Sequence, residues 1–166
     1  HLGIGGAGNS ARQEEVSGLQ ILLAWKAGTY LAFGSRPGFA RRSCGYAGVS
    51  SGREDIRDHH DMTWEFEKAN DGNLGLTGEI PPESITGFTL GVAFGSSSHA
   101  AITALLQSLS VPFHSHLSRF NEQWHRVGAN VSPLDRVSGD HGHLYRISHS
   151  LLLAHEDKTF PGALIA

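Results

Sequence analysis

The stretch FTLGVAFGSSSHAAITALLQSL, residues 88–109, contains the change of hydrophobic period that decides the fold. Up to Gly95 the residues alternate in the period of a strand with one buried face. The apolar side of that strand consists of Phe88, Leu90, Val92 and Phe94. From Ser98 the period becomes helical, and Ser97 or Ser98 can cap the helix. Its apolar face consists of Ala101, Ala104, Leu105 and Leu109. The sequence therefore predicts that strands end and helices begin here.

Two hairpins are predicted N-terminal to this stretch. Short apolar runs at 19–24 and 29–33 are separated by Lys26-Ala27-Gly28, which indicates a first hairpin. Apolar and charged residues alternate over Trp64-Glu65-Phe66-Glu67, and Asn70-Asp71-Gly72-Asn73 supplies turn residues. The alternation resumes at residues 74–77, which predicts a second hairpin.

Two further helices are predicted C-terminal to the stretch. The first should bury a helical stripe of Phe113, Leu117, Phe120, Trp124 and Val127 and expose Arg119, Glu122 and Gln123. Gly128 is expected to end it, and residues 128–143, with Pro133, Gly139 and Gly142, are expected to form a linker. The second helix places Leu144, Ile147, Leu151 and Ala154 on one face, with Lys158 near its end. Strands followed by helices predict a β domain joined to a helical one.

Composition limits the classes of partner. The chain has 166 residues, of which 39% are hydrophobic, enough for one folded domain or parts of two. With a net charge of −3 and scattered Lys and Arg residues, no nucleic acid partner is expected. No apolar run approaches the roughly 18–20 residues that span a bilayer, so no membrane partner is expected. The single cysteine, Cys44, excludes an internal disulfide, and the absence of a targeting signal leaves the localisation unknown.

Residues Gly3 to Gly8 satisfy the dinucleotide-binding pattern G-x-G-x-x-G. The context does not fit, because only two residues precede the pattern and hairpins follow it. A glycine-rich loop is favoured, and no cofactor is expected.

Residues Gly48-Val49-Ser50-Ser51-Gly52 match G-x-S-x-G, the nucleophile elbow of α/β hydrolases. A serine hydrolase using Ser50 is therefore one alternative, and it requires a histidine within hydrogen-bond reach of Ser50. The densely charged residues 53–61 favour a surface turn instead.

Histidine pairs and tryptophans are the other candidate binding residues. The pairs are His59 with His60, His114 with His116, and His141 with His143. None has the H-E-x-x-H spacing, so hydrogen-bonded or solvated histidines are favoured and no metal site is expected. Trp64 and Trp124 could stack on a sugar, but packing is favoured for both.

Four stretches in order carry a family resemblance. They are Gly45 to Gly52 with Asp55; Thr63 to Phe66 with Ala69 to Asn73; Phe88 to Gly95 with the helix after it; and Tyr145 and Ser148 leading into 155–158 and 162–166. The series resembles the bacterial glucoamylase and glucodextranase type of glycoside hydrolase family 15. It departs from the family at Ser51 and Arg53, where the family tends to have Asp and Trp.

The resemblance implies a domain plan. Residues 1–96 are expected to be a partial antiparallel β-sandwich, 97–142 a helical linker, and 143–166 the start of a truncated (α/α)6 catalytic domain. The chain is then an interior fragment, and its apolar end, Ala163 to Ala166, is expected to be buried by the remainder of that domain.

The resemblance also implies an activity for the parent protein. The family hydrolyses α-glucosidic bonds of α-glucans and oligosaccharides from the non-reducing end with inversion, using a carboxylic acid and a carboxylate roughly 6.5–9.5 Å apart. In the family, these two groups are glutamates, and both are expected downstream of Ala166. No catalytic residue is therefore assigned in this chain, and the chain alone is expected to be inactive. Glu156 and Asp157 are interpreted as structural. A non-catalytic carbohydrate-binding β module remains the other alternative.

Overall fold

The computed structural model describes residues 6–132, 134, 137–157, 160 and 162–164. The chain divides into two compact units, His1–Phe113 and His114–Ala166. In the first unit the elements are β1 (Asn9–Val16), β2 (Leu19–Lys26), β3 (Thr29–Arg36), β4 (Arg42–Tyr46), α1 (Gly52–His59), β5 (Lys68–Gly72), β6 (Leu74–Gly78), a 3-10 turn (Pro82–Ser84), β7 (Thr89–Gly95) and α2 (Ser98–Ser110). The later helices are α3 (Phe113–Ala129) and α4 (His143–Ala154).

The strands form two antiparallel sheets. The larger sheet has the order β5-β1-β2-β3-β7, and the smaller sheet pairs β4 with β6. The first predicted hairpin is confirmed as β2 and β3, which pair up to Lys26 and Thr29. Ala27 and Gly28 close it with φ values of 47° and 81°, the left-handed conformation that two-residue hairpin turns need.

A different layer packs on each face of the larger sheet. On one face, Ile21, Leu23 and Ala32 pack against Leu105 and its neighbours on α2. Burying a side chain such as Leu105 stabilises the fold by about 1.5–3 kcal/mol. On the other face, the smaller sheet completes a second cluster of Ala11, Leu22, Phe39, Cys44 and Ala69. The predicted fold class, an antiparallel β-sandwich part followed by α-helices, is confirmed.

The predicted helix after the strands is confirmed as α2. The Ser97 side chain caps it by accepting a hydrogen bond from the Ala100 amide at 3.1 Å. Its buried residues are Ala101, Ile102, Leu105 and Leu109.

The burial predicted for β7 is wrong. Leu90, Val92 and Phe94 are exposed, whereas Gly91 and Ala93 face α2. A Cβ atom at Gly91 would lie 2.7 Å from Leu105 Cδ1, so the small residues allow the helix to approach the strand closely.

The prediction of a second hairpin around Asn70–Asn73 is also wrong. The segment Trp64–Glu67 is outside the strands, and β5 and β6 do not pair with each other. β5 pairs with β1, and β6 pairs with β4. Asn73 therefore connects two sheets and is not the turn of a hairpin.

The two later helices form as predicted, but their apolar stripes are exposed. No residue of α3 is buried, and Phe113, Leu117 and Phe120 are largely exposed while Trp124 is partly buried. Leu144, Ile147 and Leu151 of α4 are exposed as well. The burial predicted for the α3 stripe is wrong, because its apolar side chains remain largely exposed. Pro133, Lys158, Ile165 and Ala166 lie outside the described residues.

Among the described helices, none combines the length and apolar character that crossing a bilayer requires.

Candidate functional site

A cluster of buried polar side chains in the first unit begins at a tight turn between β4 and α1. The Tyr46 carbonyl accepts hydrogen bonds from the amides of Val49, Ser50 and Ser51, at 3.1, 2.8 and 3.0 Å. This turn folds back onto β4, and a Cβ atom at Gly45 would lie 1.9 Å from the Ser50 carbonyl oxygen. Only glycine fits there, which gives a physical reason for the first residue of the Gly45–Gly52 motif.

The turn leads into α1, a helix that the sequence reasoning missed. Ser51 is the N-cap residue, and its hydroxyl donates a hydrogen bond to the Glu54 carboxylate, with both residues buried. This bond is the main cause of the lowered pKa of Glu54, which burial opposes. The spacing S-x-x-E is that of a capping box, and it is the signal that could have identified the helix.

The carboxylate of Asp55 is completely buried at the centre of the cluster. Its Oδ2 accepts hydrogen bonds from the amides of Thr63 and Trp64, both at 2.7 Å. Its Oδ1 accepts one from the Thr63 hydroxyl at 2.6 Å and lies 2.8 Å from His59 Nδ1. Asp55 therefore fastens α1 to the segment that follows it.

Hydrogen bonding fixes the charge of Asp55. Burial by itself would raise the pKa of this carboxyl group, but the hydrogen bonds from Thr63, Trp64 and His59 outweigh it and lower the pKa from 3.8 to about 2. An ionised carboxylate only accepts hydrogen bonds, so Nδ1 of His59 carries a proton. In the neutral imidazole, Nε2 is then an acceptor on a partly exposed side chain.

Three aromatic rings, beginning with that of His59, contact one another in series. The ring centroids of His59 and Trp64 are 5.4 Å apart, and those of Trp64 and Phe66 are 6.0 Å apart. His59 and Phe66 are exposed and Trp64 is partly buried. Trp124 is partly buried as well, 6.0 Å from Phe120 in α3. The sequence favours a packing role for both tryptophans. In the structure, neighbouring side chains cover each tryptophan ring only in part.

The segment after α1 is also held by Arg41. Its guanidinium binds the carboxylates of Glu79 and Asp61 and donates to the Met62 carbonyl. The hydrogen bonds to Glu79 and then Asp61 raise the pKa of Arg41. Together, Arg41 and Asp55 hold residues 61–64 against β4 and α1.

The geometry does not support a serine hydrolase at Ser50. The strand β4 precedes the motif and the helix α1 follows it, but β4 belongs to a two-stranded antiparallel sheet. The Ser50 hydroxyl accepts a hydrogen bond from the Tyr46 amide at 3.1 Å. The histidine of the cluster, His59, is hydrogen-bonded to Asp55, and no hydrogen bond in the described part of the chain joins a histidine to Ser50.

The other motifs also lack the context that their chemistry needs. Gly3 and Gly5 lie outside the described residues, and Gly8 leads into the strand β1 where a dinucleotide site requires a helix. In the described ranges, no group of three or more His, Cys, Asp or Glu side chains could hold a metal ion. The structure therefore does not bring the histidine pairs together as a ligand set.

Glu156 and Asp157 follow the end of α4. The Glu156 side chain accepts a hydrogen bond from the Gly162 amide at 2.7 Å, and Asp157 accepts one from the Phe160 amide at 3.0 Å. A backbone bridge joins Glu156 to Leu164. Both carboxylates thus bind the backbone of the segment that immediately follows.

The arrangement suits a structural role better than acid catalysis. A general acid in glycoside hydrolysis needs a raised pKa, so that it holds a proton at neutral pH. Glu54 and Asp55 have lowered pKa values because they accept hydrogen bonds from their own domain. The cluster holds a loop and a helix in place, and its buried carboxyl groups are ionised rather than protonated at neutral pH.

Comparisons with known proteins show the family to which this chain belongs. A family model described as "Glucodextranase, domain N" matches residues 1–128. The chain is 28% identical over 166 residues to a glucoamylase of Clostridium sp. (strain G0005). The match includes 100% of this chain and 23% of the glucoamylase.

A solved structure shows the same similarity to bacterial glucoamylase. The chain superimposes on the crystal structure of a bacterial glucoamylase complexed with acarbose with a TM-score of 0.87 and 26% sequence identity. The superposition covers 96% of this chain and 23% of that chain, so this chain spans about a quarter of the length of both relatives. The chain belongs to the glucodextranase domain N family, and its resemblance to the bacterial glucoamylase and glucodextranase type is thereby confirmed.

Proposed function

We propose that this chain supplies the N-terminal β domain and connecting helices of an inverting, exo-acting α-glucosidase of the glucoamylase and glucodextranase type. The substrates of the whole enzyme are α-glucans or α-glucosidic oligosaccharides. The catalytic glutamate pair lies outside this chain, which by itself is inactive.

The observation that carries the proposal is the match of this chain to a glucoamylase structure over 96% of its own length. The lowered pKa values of Glu54 and Asp55 support a non-catalytic role for the cluster around α1. Hydrogen bonds from Gly162 and Phe160 to Glu156 and Asp157 support a structural role for the second cluster.

The domain plan is part of the proposal. Residues 1–96 form the β-sandwich portion, residues 97–142 form the helical linker, and residues 143–166 begin the (α/α)6 catalytic domain. The exposed apolar stripe of α4 supports this plan, because a barrel helix needs such a face to bury against neighbouring helices.

The proposal is tested with a longer polypeptide that continues through the coding sequence downstream of Ala166. Proton NMR should show β-glucose as the first product from soluble starch, because a single displacement inverts the α-anomeric centre. α-Glucose as the first product from soluble starch would contradict inversion, and no glucose from soluble starch, maltose or dextran would contradict the glucosidase assignment.

One observation favours a second candidate, a carbohydrate-binding β module. Phe66 is exposed beside the partly buried Trp64, and the His59 ring, whose Nε2 is a hydrogen-bond acceptor, contacts the Trp64 ring. Titration with maltoheptaose tests it. Binding that is lost in Trp64→Ala and retained in Trp124→Ala would support the module, and unchanged tryptophan fluorescence in the parent chain would exclude it.

A further inference from the structure

The segment between α1 and β5 is held to the first unit in two different ways. Residues 66–67 are held through their backbone, because the Phe66 carbonyl accepts a hydrogen bond from the Cys44 amide at 2.9 Å and the Glu67 carbonyl accepts one from the Gln13 amide at 2.8 Å. Residues 61–65, which we call the strap, lie outside the helices and strands. The hydrogen bonds that join the strap to the rest of the unit run to titratable or charged side chains: Asp55, His59 and Arg41.

Met62 is the apolar residue that the strap keeps away from solvent. It is the single methionine of the chain, and it is only 3% exposed. Among the described residues it belongs to neither apolar cluster of the sandwich. Its amide donates to Asp61 at 2.8 Å, and its carbonyl accepts a hydrogen bond from Arg41. The burial of Met62 therefore depends on the strap remaining in place.

Acid weakens the contacts of the strap. Burial opposes the ionisation of Asp55, but the hydrogen bonds from Thr63 and Trp64 outweigh it and lower the pKa of this carboxyl group to about 2. The hydrogen bond from Arg41 lowers the pKa of Asp61. A carboxyl group whose pKa is lowered by a contact takes up a proton more readily once that contact is broken. A falling pH therefore favours release of the strap.

The neighbouring charges do not reverse this dependence. His59 donates from Nδ1 to Asp55, and a proton added at Nε2 leaves that bond in place. The negative charge of Asp55 raises the pKa of both Asp58 and Asp61, although other contacts lower each of them overall. Glu79 holds the guanidinium that binds the Met62 carbonyl, so protonation of Glu79 also loosens the strap.

We propose that the strap is an acid-opened cover over Met62, which leaves α1 and Arg41 as Asp55 and Asp61 lose their charge while both sheets remain folded. The two apolar clusters of the described structure contain no carboxyl group, so acid acts on the strap before it acts on the sheets. Opening exposes the Met62 sulfur to dissolved oxidants. Hydrogen peroxide then transfers one oxygen atom to the thioether, which becomes a sulfoxide, and the peroxide leaves as water. The inference does not depend on the proposed glucosidase function.

Oxidation of Met62 in the whole chain tests the inference. The chain is treated with hydrogen peroxide at about pH 6 and about pH 2.5, and peptide mass spectrometry measures the sulfoxide at Met62 relative to N-acetylmethionine amide in the same buffer. The relative rate should rise at least about tenfold in acid, while far-UV circular dichroism of the strands is retained. An unchanged rate, or a rise that occurs only with loss of the strand signal, would overturn the proposal.

Urea separates local opening from global unfolding. Local opening exposes little surface, so the relative rate at about pH 2.5 should stay nearly constant up to about 1 M urea. Oxidation through the unfolded chain would instead increase steeply over the same range of urea, and that result would contradict a strap that opens by itself.

Three variants identify the carboxyl groups involved. Asp55→Asn should raise the rate of Met62 oxidation at about pH 6 and lose most of the tenfold rise in acid, because the titrating group is gone. Asp61→Asn, whose site is more exposed and tolerates substitution better, should change both in the same direction. Asp58→Asn is the matched control, since Asp58 pairs with the exposed Arg57, and its rates should stay within about twofold of the parent. Equal rates for all four proteins would show that these carboxylates do not hold the strap.

Discussion

The buried carboxylate of Asp55 accepts a hydrogen bond from Nδ1 of His59, 2.8 Å away and one helical turn further along α1. The same carboxylate binds the amides of Thr63 and Trp64, so one side chain connects a helix to the loop after it. The i,i+4 spacing places Asp55 and His59 on one face of α1. These hydrogen bonds of Asp55 hold α1 and the following loop together. They also predict that the stability of the fold depends on pH in the acid range.

Stability should fall in acid through Asp55. The pKa of this carboxyl group is lowered from 3.8 to about 2 in the folded chain, so the unfolded chain binds the proton more readily. The stabilisation is complete above pH 3.8 and is lost as the pH falls through about 2. Asp55→Asn should lower the melting temperature at pH 7 by roughly 5–15 °C, as measured by circular dichroism. The same variant should also weaken the fall of the melting temperature with pH in this acid range.

Asp58→Asn is the control for Asp55→Asn. Asp58 is in the same helix, is exposed, and pairs with the exposed Arg57. Exposed ion pairs contribute little to the stability of a fold. We therefore expect Asp58→Asn to change the melting temperature by no more than roughly 2 °C. Equal melting temperatures for the two variants would show that the buried network does not hold α1.

The close approach of α2 to β7 predicts a large effect of a single methyl group. A Cβ atom at Gly95 would lie 2.5 Å from the Ala101 amide nitrogen. Gly95→Ala should therefore lower the free energy of unfolding by about 1–3 kcal/mol, as measured by urea denaturation. Gly87→Ala, where no atom lies within 4 Å of the added Cβ, should change it by less than about 0.5 kcal/mol. Similar values for both variants would contradict the packing described for α2.

The strand β7 shows why the sequence predicts an element more reliably than its buried face. Alternation correctly predicts the strand, but the prediction that Leu90, Val92 and Phe94 lie on its buried face is wrong. Gly91 and Gly95 turn out to be the contact surface, because a backbone without side chains lets α2 pack closely. The alternation of apolar and small residues along β7 does not show whether another part of the protein covers the side with Leu90, Val92 and Phe94.

Pairing between distant strands accounts for the second hairpin that does not form. The residues around Asn73 have the composition of a hairpin turn, yet β5 pairs with β1 and β6 pairs with β4. These partners are far apart in the chain, so a local pattern does not identify them. In contrast, the adjacent strands β2 and β3 and the cap at Ser97 were predictable because each depends on neighbouring residues.

The candidate site was predictable only in part. The family motif drew attention to Gly45, Ser50 and Asp55, and the close packing at Gly45 explains one of its positions. The role of Asp55 required the helix α1, whose Ser51 and Glu54 spacing was overlooked because the segment is densely charged. Its contacts with Thr63 and Trp64 depend on how the loop folds back.

The exposed apolar faces predict that the chain folds marginally on its own and associates. Phe113, Phe120 and Leu151 are each more than half exposed, and such faces bind hydrophobic dyes. We expect fluorescence enhancement of anilinonaphthalene sulfonate by the 166-residue chain at neutral pH, and broad thermal unfolding. Extension through the downstream coding sequence should reduce dye binding and sharpen the transition. A monomer that binds no dye and unfolds in one sharp transition would contradict this prediction.

Glucose release by the purified 166-residue chain tests most directly whether the chain is non-catalytic on its own. The assay compares the chain with a buffer blank on maltose and soluble starch, and includes a Glu156→Gln, Asp157→Asn double variant to detect a contaminating enzyme. We predict no glucose above the blank for either protein, because we propose that the inverting carboxyl pair lies outside the chain. Release that increases with the amount of the chain, and that the double variant abolishes, would contradict the account.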